Sequence, residues 1–124
     1  MTSPTDKLER LAADVRDFVR ERDWEQFHDP KNLSMAIASE AGELLAEFRW
    51  VRSQDADRVA EDPVARERVE DEIADIAISL VALSNRLQLD LFDVVQRKLS
   101  RNRENYPVEA SRGKAERRRT GEPI

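Results

Sequence analysis

The chain has 124 residues, with 21 Lys or Arg against 26 Asp or Glu and a formal net charge of −5. That length supports one core of useful size, and 3 Gly with 5 Pro are too few for the turns of a many-stranded sandwich or barrel. The absence of Cys excludes disulfides, thiolate nucleophiles, zinc fingers and iron–sulfur clusters, and the single His excludes a Glu-x-x-His di-iron bundle.

Four helices are predicted in chain order. The first spans about Pro4 to Arg22, with Ser3 as N-cap, Pro4 at the first helical position and Asp6 three residues after the cap. Leu8, Leu11, Ala12, Val15, Phe18 and Val19 form its apolar stripe. The run WEQFHDPK then breaks the pattern. The second helix spans about Asn32 to Val51, with Leu33, Ile37, Ala41, Leu44 and Phe48 on one side. A polar loop over 52–62 follows, and Asp62-Pro63 opens a third helix reaching about Arg86. That helix is apolar around more than half its circumference, which predicts the central and most buried position. The fourth starts after Asp90, carries Leu91, Val94, Val95 and Leu99, and ends before Pro107.

The fold class expected is therefore all-α and four-helix-bundle-like, with the domain over 1–108 and a polar, flexible tail over 109–124. The tail holds five Lys or Arg against three Glu, so the body carries net −7. An acidic body argues against a phosphate-backbone binder, so no nucleic-acid partner is expected. No run approaches the ~18 apolar residues of a membrane span, and the N-terminus lacks an apolar signal region. A soluble cytoplasmic protein is the expectation.

Acids three residues apart occur six times, about as often as chance gives, so that spacing alone decides nothing. Position on the helix decides more. At about 100° per residue, Glu40 falls about 20° from Leu33 and Glu47 about 40°, both inside the apolar stripe, while Glu43 lies at its edge. On the third helix Glu72 lies at the edge of the apolar arc and Asp75 further round. A carboxylate buried alone costs several kcal/mol. The stripes of these two helices offer no Lys or Arg to the same face. Protons or a divalent metal are the other sources of positive charge, and Mg²⁺ takes oxygen ligands of this kind. The alternative is that Glu40 reaches solvent or bridges subunits.

Lys98, Asn102 and Tyr106 recur at i, i+4 and i+8 on the fourth helix. They make either a phosphate-binding face or an ordinary outer one. Trp24 and Trp50, the only tryptophans, can sandwich a flat base near His28 or simply close the ends of a core.

The runs ERDWEQFHDPKNLSMAIASEAGELLAEFRW, EDEIADIAISLVAL and KLSRNRENYP together resemble the MazG-type all-α nucleoside triphosphate pyrophosphohydrolases, in particular their dCTP pyrophosphatase branch. The family's E-x-x-E and E-x-x-D signature is filled by Glu40, Glu43, Glu72 and Asp75. The resemblance implies hydrolysis of a nucleoside triphosphate, dCTP or a modified dCTP, to monophosphate and pyrophosphate. It implies Mg²⁺ on those four acids, with Glu43 the candidate to take a proton from the attacking water. It implies that Lys98, Asn102 and Tyr106 contact phosphates or sugar, that Trp24, His28 and Trp50 enclose the base, and that a homotetramer completes the core and the sites. Val15 stands where animal members carry a His. The rival readings are the same chemistry on another base, or a catalytically silent helical interaction module.

Overall fold

The structure is a computed structural model and describes residues 3–115. The regular elements among those residues are all helices, without a strand: α1 (Pro4–Glu21), a 3₁₀ turn (Glu25–Phe27), α2 (Pro30–Phe48), a 3₁₀ run (Ser53–Glu61), α3 (Pro63–Arg86), α4 (Leu91–Asn105) and a single turn, α5 (Val108–Ser111). They divide into two compact units between Asp90 and Leu91. The tail beyond residue 115, with Arg117, Arg118 and Arg119, lies outside the described residues.

The three helices of the first unit start by one device. Each places Pro in its first turn behind an oxygen-bearing cap, where the missing N–H costs nothing. Ser3 accepts from the Asp6 N–H at 3.1 Å while Asp6 accepts from the Ser3 N–H at 3.2 Å, a complete capping box. Asp29 accepts from the Asn32 N–H at 2.8 Å and Asp62 from the Val64 N–H at 3.2 Å. The second helix thus begins two residues before the position predicted from its apolar stripe, and it ends at Phe48 rather than Val51.

Two of these helices also stop by one device. After α1, Asp23 adopts φ 53°, its N–H donates to Arg20 O at 3.0 Å and the Trp24 N–H donates to Val19 O at 3.0 Å. After α3, Gln88 adopts φ 56°, its N–H donates to Asn85 O at 3.1 Å and the Leu89 N–H donates to Ser84 O at 2.8 Å. Both are Schellman turns, which satisfy the last carbonyls of a helix. Their left-handed residue is usually Gly, but the chain has only 3 Gly, and side-chain residues take the position here. In the first turn the apolar contact that accompanies the motif is Trp24 against Phe18, edge to face at 5.7 Å.

As expected, α3 is central. It packs on α1, on α2 and on the 3₁₀ run, and it carries the buried Ala65, Val81, Ala82 and Ser84. Val15 and Val19 of α1 and Leu33 of α2 complete the core. Val15 is buried at 7% exposure, so it is a core residue of this chain. α2 and α3 run antiparallel, since Glu47 pairs with Arg68 while Glu40 and Glu43 gather at Glu72. α1 is fastened to α3 by Asn85, whose Nδ2 donates to Ala12 O at 3.0 Å and whose Oδ1 accepts from Arg16 at 3.3 Å.

Replacing Asn85 with Ala removes both bonds of a half-buried amide. We expect a loss of about 1–2 kcal/mol in chemical denaturation. An unchanged midpoint would show that α1 is held by its apolar stripe alone.

Candidate metal centre

The antiparallel seam between α2 and α3 brings acids from both helices to one place. Carboxylate oxygens of Glu40, Glu43 and Glu72 all lie within 4.8 Å of one another. Glu40 and Glu43 are one turn apart on α2 and share a face; Glu72 comes from α3. Glu40 and Glu72 are half-buried and Glu43 is exposed. Asp75, one turn beyond Glu72 on α3, is exposed and does not join this triangle.

No donor reaches Glu40 Oε2 or Glu72 Oε2, although both atoms are shielded from solvent. Ionised carboxylates only accept hydrogen bonds, so two of them facing each other need a proton or a cation between them. The proton solution pushes Glu72 from its ordinary value of 4.5 up to about 7. The largest cause is the hydrogen bond that a protonated Glu72 makes to Glu40. Desolvation comes next, then a hydrogen bond to Glu43 and the charges of Glu43 and Glu40. The cation solution suits the same atoms, because three carboxylates form a hard, all-oxygen donor set of the kind that holds divalent magnesium, calcium or manganese.

Glu47 corrects one expectation. The sequence offered no cation to this face, yet Arg68 donates its Nε to both carboxylate oxygens of Glu47, at 3.1 and 3.2 Å. Arg68 reaches across from α3, where it lies largely exposed. One turn along the same seam, the triangle of acids has no such partner among the described residues' ion pairs.

The aromatic candidates fall into two groups. Trp24 and His28 are neighbours, with ring centroids 6.3 Å apart. His28 Nδ1 is shielded from solvent without a hydrogen-bond partner. Trp50 follows the other end of α2, 85% exposed, with the Arg49 guanidinium 5.3 Å from its ring centre. The 19 residues of α2 rise about 28 Å, so a single chain does not bring Trp24 and Trp50 onto one base. In the second unit, Lys98 and Asn102 are one turn apart on α4. Tyr106 lies just past its end, with its N–H donating to Asn102 O at 2.8 Å. All three are half-buried.

Among the described residues, then, the chain is an all-helical protein with an acid triangle, free of ion pairs, that could hold a divalent cation between two antiparallel helices. Residues 35–118 match the MazG-like family. The chain is 42% identical over 113 residues to dCTP pyrophosphatase 1 of Mus musculus and 38% identical over 110 residues to that of Homo sapiens. These alignments cover 91% and 89% of this chain but 66% and 65% of those relatives. A crystal structure of a pyrophosphatase from Archaeoglobus fulgidus superposes with a TM-score of 0.75 at 36% identity, covering 82% of this chain and 93% of that one. The chain belongs to the MazG-like family. No helix among the described residues is long and apolar enough to cross a membrane.

The raised Glu72 carboxyl makes the metal-free protein sensitive to pH. Its folded value of about 7 exceeds the unfolded one. The stability this supplies is complete below about pH 4.5 and is lost as pH rises through about 7. With a chelator present, the Glu72 contribution to thermal stability should therefore fall between about pH 5 and pH 8. Added divalent cation should raise Tm more at the higher pH, where no proton has to be displaced. Glu72→Gln should abolish the Glu72-dependent fall and most of the cation's effect. A wild-type Tm indifferent to divalent cations at both pH values would remove the metal assignment.

Proposed function

We propose that the chain is a Mg²⁺-dependent nucleoside triphosphate pyrophosphohydrolase, acting on dCTP or a modified dCTP and releasing the monophosphate and pyrophosphate. The observation that carries this reading is the acid triangle with its two solvent-shielded, donor-less oxygens. The relatives named dCTP pyrophosphatase support the substrate, and the pyrophosphatase structure supports the reaction.

In this reading Glu40, Glu43 and Glu72 hold Mg²⁺, joined by Asp75 from the same face of α3. When bound, the cation neutralises phosphate charge and makes water a stronger nucleophile. The chain's own groups do the rest. Glu43, the exposed member of the triangle, takes the proton from the water that attacks the α-phosphorus. The bond between that phosphorus and its bridging oxygen breaks, and pyrophosphate leaves. Lys98 meets phosphate charge and Asn102 and Tyr106 supply hydrogen bonds to phosphate or sugar.

The base is held by Trp24, His28 and Trp50. Because the two indoles sit beyond opposite ends of α2, a base between them takes one from each of two chains. An oligomer also accounts for the apolar side chains this chain leaves in water, among them Ile73 at 53%, Met35 at 59% and Leu45 at 60% exposure. We assign a homotetramer with its sites between subunits, clearing unwanted nucleotides from the cytoplasmic pool.

The decisive assay incubates the protein and Mg²⁺ with each ribo- and deoxyribonucleoside triphosphate and separates pyrophosphate from orthophosphate. Pyrophosphate, fastest from dCTP, is the expected product; orthophosphate alone would mean attack at the γ-phosphorus. Glu40→Gln should abolish turnover with the oligomer intact. Trp50→Ala should raise KM by about tenfold, the worth of one stacked base, with kcat nearly unchanged. An unaltered KM would take Trp50 out of the base site.

A further inference from the structure

We infer that Arg86, the last residue of α3, is a positioning residue for the loop that carries Trp24 and His28; the inference rests on the function proposed above. Its Nη1 donates to the Glu25 carbonyl oxygen at 2.9 Å, across 61 positions of sequence. The same oxygen accepts the His28 N–H at 3.2 Å. One acceptor thus joins the guanidinium to the amide of a base-site residue, and its direction fixes where the His28 backbone lies.

Apolar burial does not hold this segment. Glu25, Gln26 and Phe27 are all exposed, Phe27 at 58%. Polar contacts hold it instead. Gln26 Nε2 donates back to Asp23 O at 2.9 Å, and Arg20 Nε meets the Glu25 carboxylate at 3.4 Å. On the α2 side, Asn32 Nδ2 donates to Phe27 O at 3.1 Å. Arg20, Gln26 and Asn32 all belong to the loop or to the two helices it joins, so they tie it only to its own ends. Arg86 differs because it is anchored in α3, the helix that also carries Glu72. The planar guanidinium suits a fixed carbonyl better than a mobile ammonium does. Arg86 therefore refers the base loop to the helix that carries an acid of the metal centre. Glu72 and Arg86 are about 21 Å apart along that helix, so the arginine does not act on the acids directly.

The test compares wild type with Arg86→Ala and Arg86→Lys, using dCTP with Mg²⁺ and hydrogen exchange of the loop amides. For Arg86→Ala we expect KM to rise about fivefold, the factor one net hydrogen bond commands, with kcat within twofold. The amides of 25–28 should exchange faster while those around Glu72 do not. Arg86→Lys keeps a donor and the charge and should recover part of the KM. Wild-type turnover with unchanged KM and unchanged loop exchange in Arg86→Ala overturns this inference alone. A fall in kcat with KM unchanged also overturns it. If Arg86→Ala does not fold, a Lys variant with a wild-type KM and loop exchange faster than wild type overturns it. A wild-type protein that releases no pyrophosphate from any nucleotide overturns it together with the reading it rests on.

Discussion

Three carboxylates within 4.8 Å of one another cannot all stay charged, dry and alone. The antiparallel register of α2 and α3 imposes that arrangement, because any register that pairs Glu47 with Arg68 also carries Glu40 and Glu43 to Glu72. The seam therefore holds two neighbouring rungs of opposite character. At one, an arginine Nε–H is shared between the two oxygens of a carboxylate and charge is balanced. At the next, like charges meet, and Glu72 keeps a proton to about 7 in response. A seam selected for stability alone would repeat the first rung or fill the second with apolar side chains. A protein that keeps the costly rung offsets it elsewhere, and such local conflicts mark functional sites.

The elements around that seam are fixed at their ends more than by bulk burial. Six apolar side chains are buried among the described residues, and large ones such as Leu80 and Leu99 are 40% exposed. Caps and Schellman turns do what a larger core would otherwise do: they set where helices start and stop, and so which residues line up across the seam. The same economy places the aromatic site. Trp24 occupies the position after the left-handed residue of a helix stop, and its ring closes on Phe18, the apolar contact that often accompanies the motif. A residue proposed to hold a base is thus positioned by the backbone chemistry that ends α1.

Much of this was legible in the amino acids. The four long helices and the central place of α3 followed from apolar periodicity, and Glu40 stood out because an acid lay inside an apolar stripe. The start of α2 is less legible: Asp29-Pro30 repeats the cap-and-proline pair of Ser3-Pro4 and Asp62-Pro63, but the apolar stripe that marks the helix begins only at Leu33. The 3₁₀ run over Ser53–Glu61 has the sequence signature of a polar loop, since a 3₁₀ segment lacks the 3.6-residue period. Arg68 was invisible as a partner of Glu47 because helix angles measured on separate helices carry no register between them. The choice left open for Trp24 and Trp50, base sandwich or core closure, is undecided by sequence for a related reason: spacing along the chain gives no distance, and only the rod of α2 sets one indole beyond each of its ends.

That rod also orders the chemistry. Glu43 lies five residues before the C-terminal end of α2 and Glu40 ten residues after its start, which places the acids about 8 Å of rise from one end and about 15 Å from the other. Charge therefore gathers toward the Trp50 end, while Trp24 and His28 stand at the far end under their own polar tethers. A ligand that needs both an acid-held cation and two stacked rings meets them all only where two such rods lie side by side. On that ground the 85% exposure of Trp50 fits the assembly proposed above, in which a neighbouring chain would cover that ring, and the assembly belongs to the same proposal as the site.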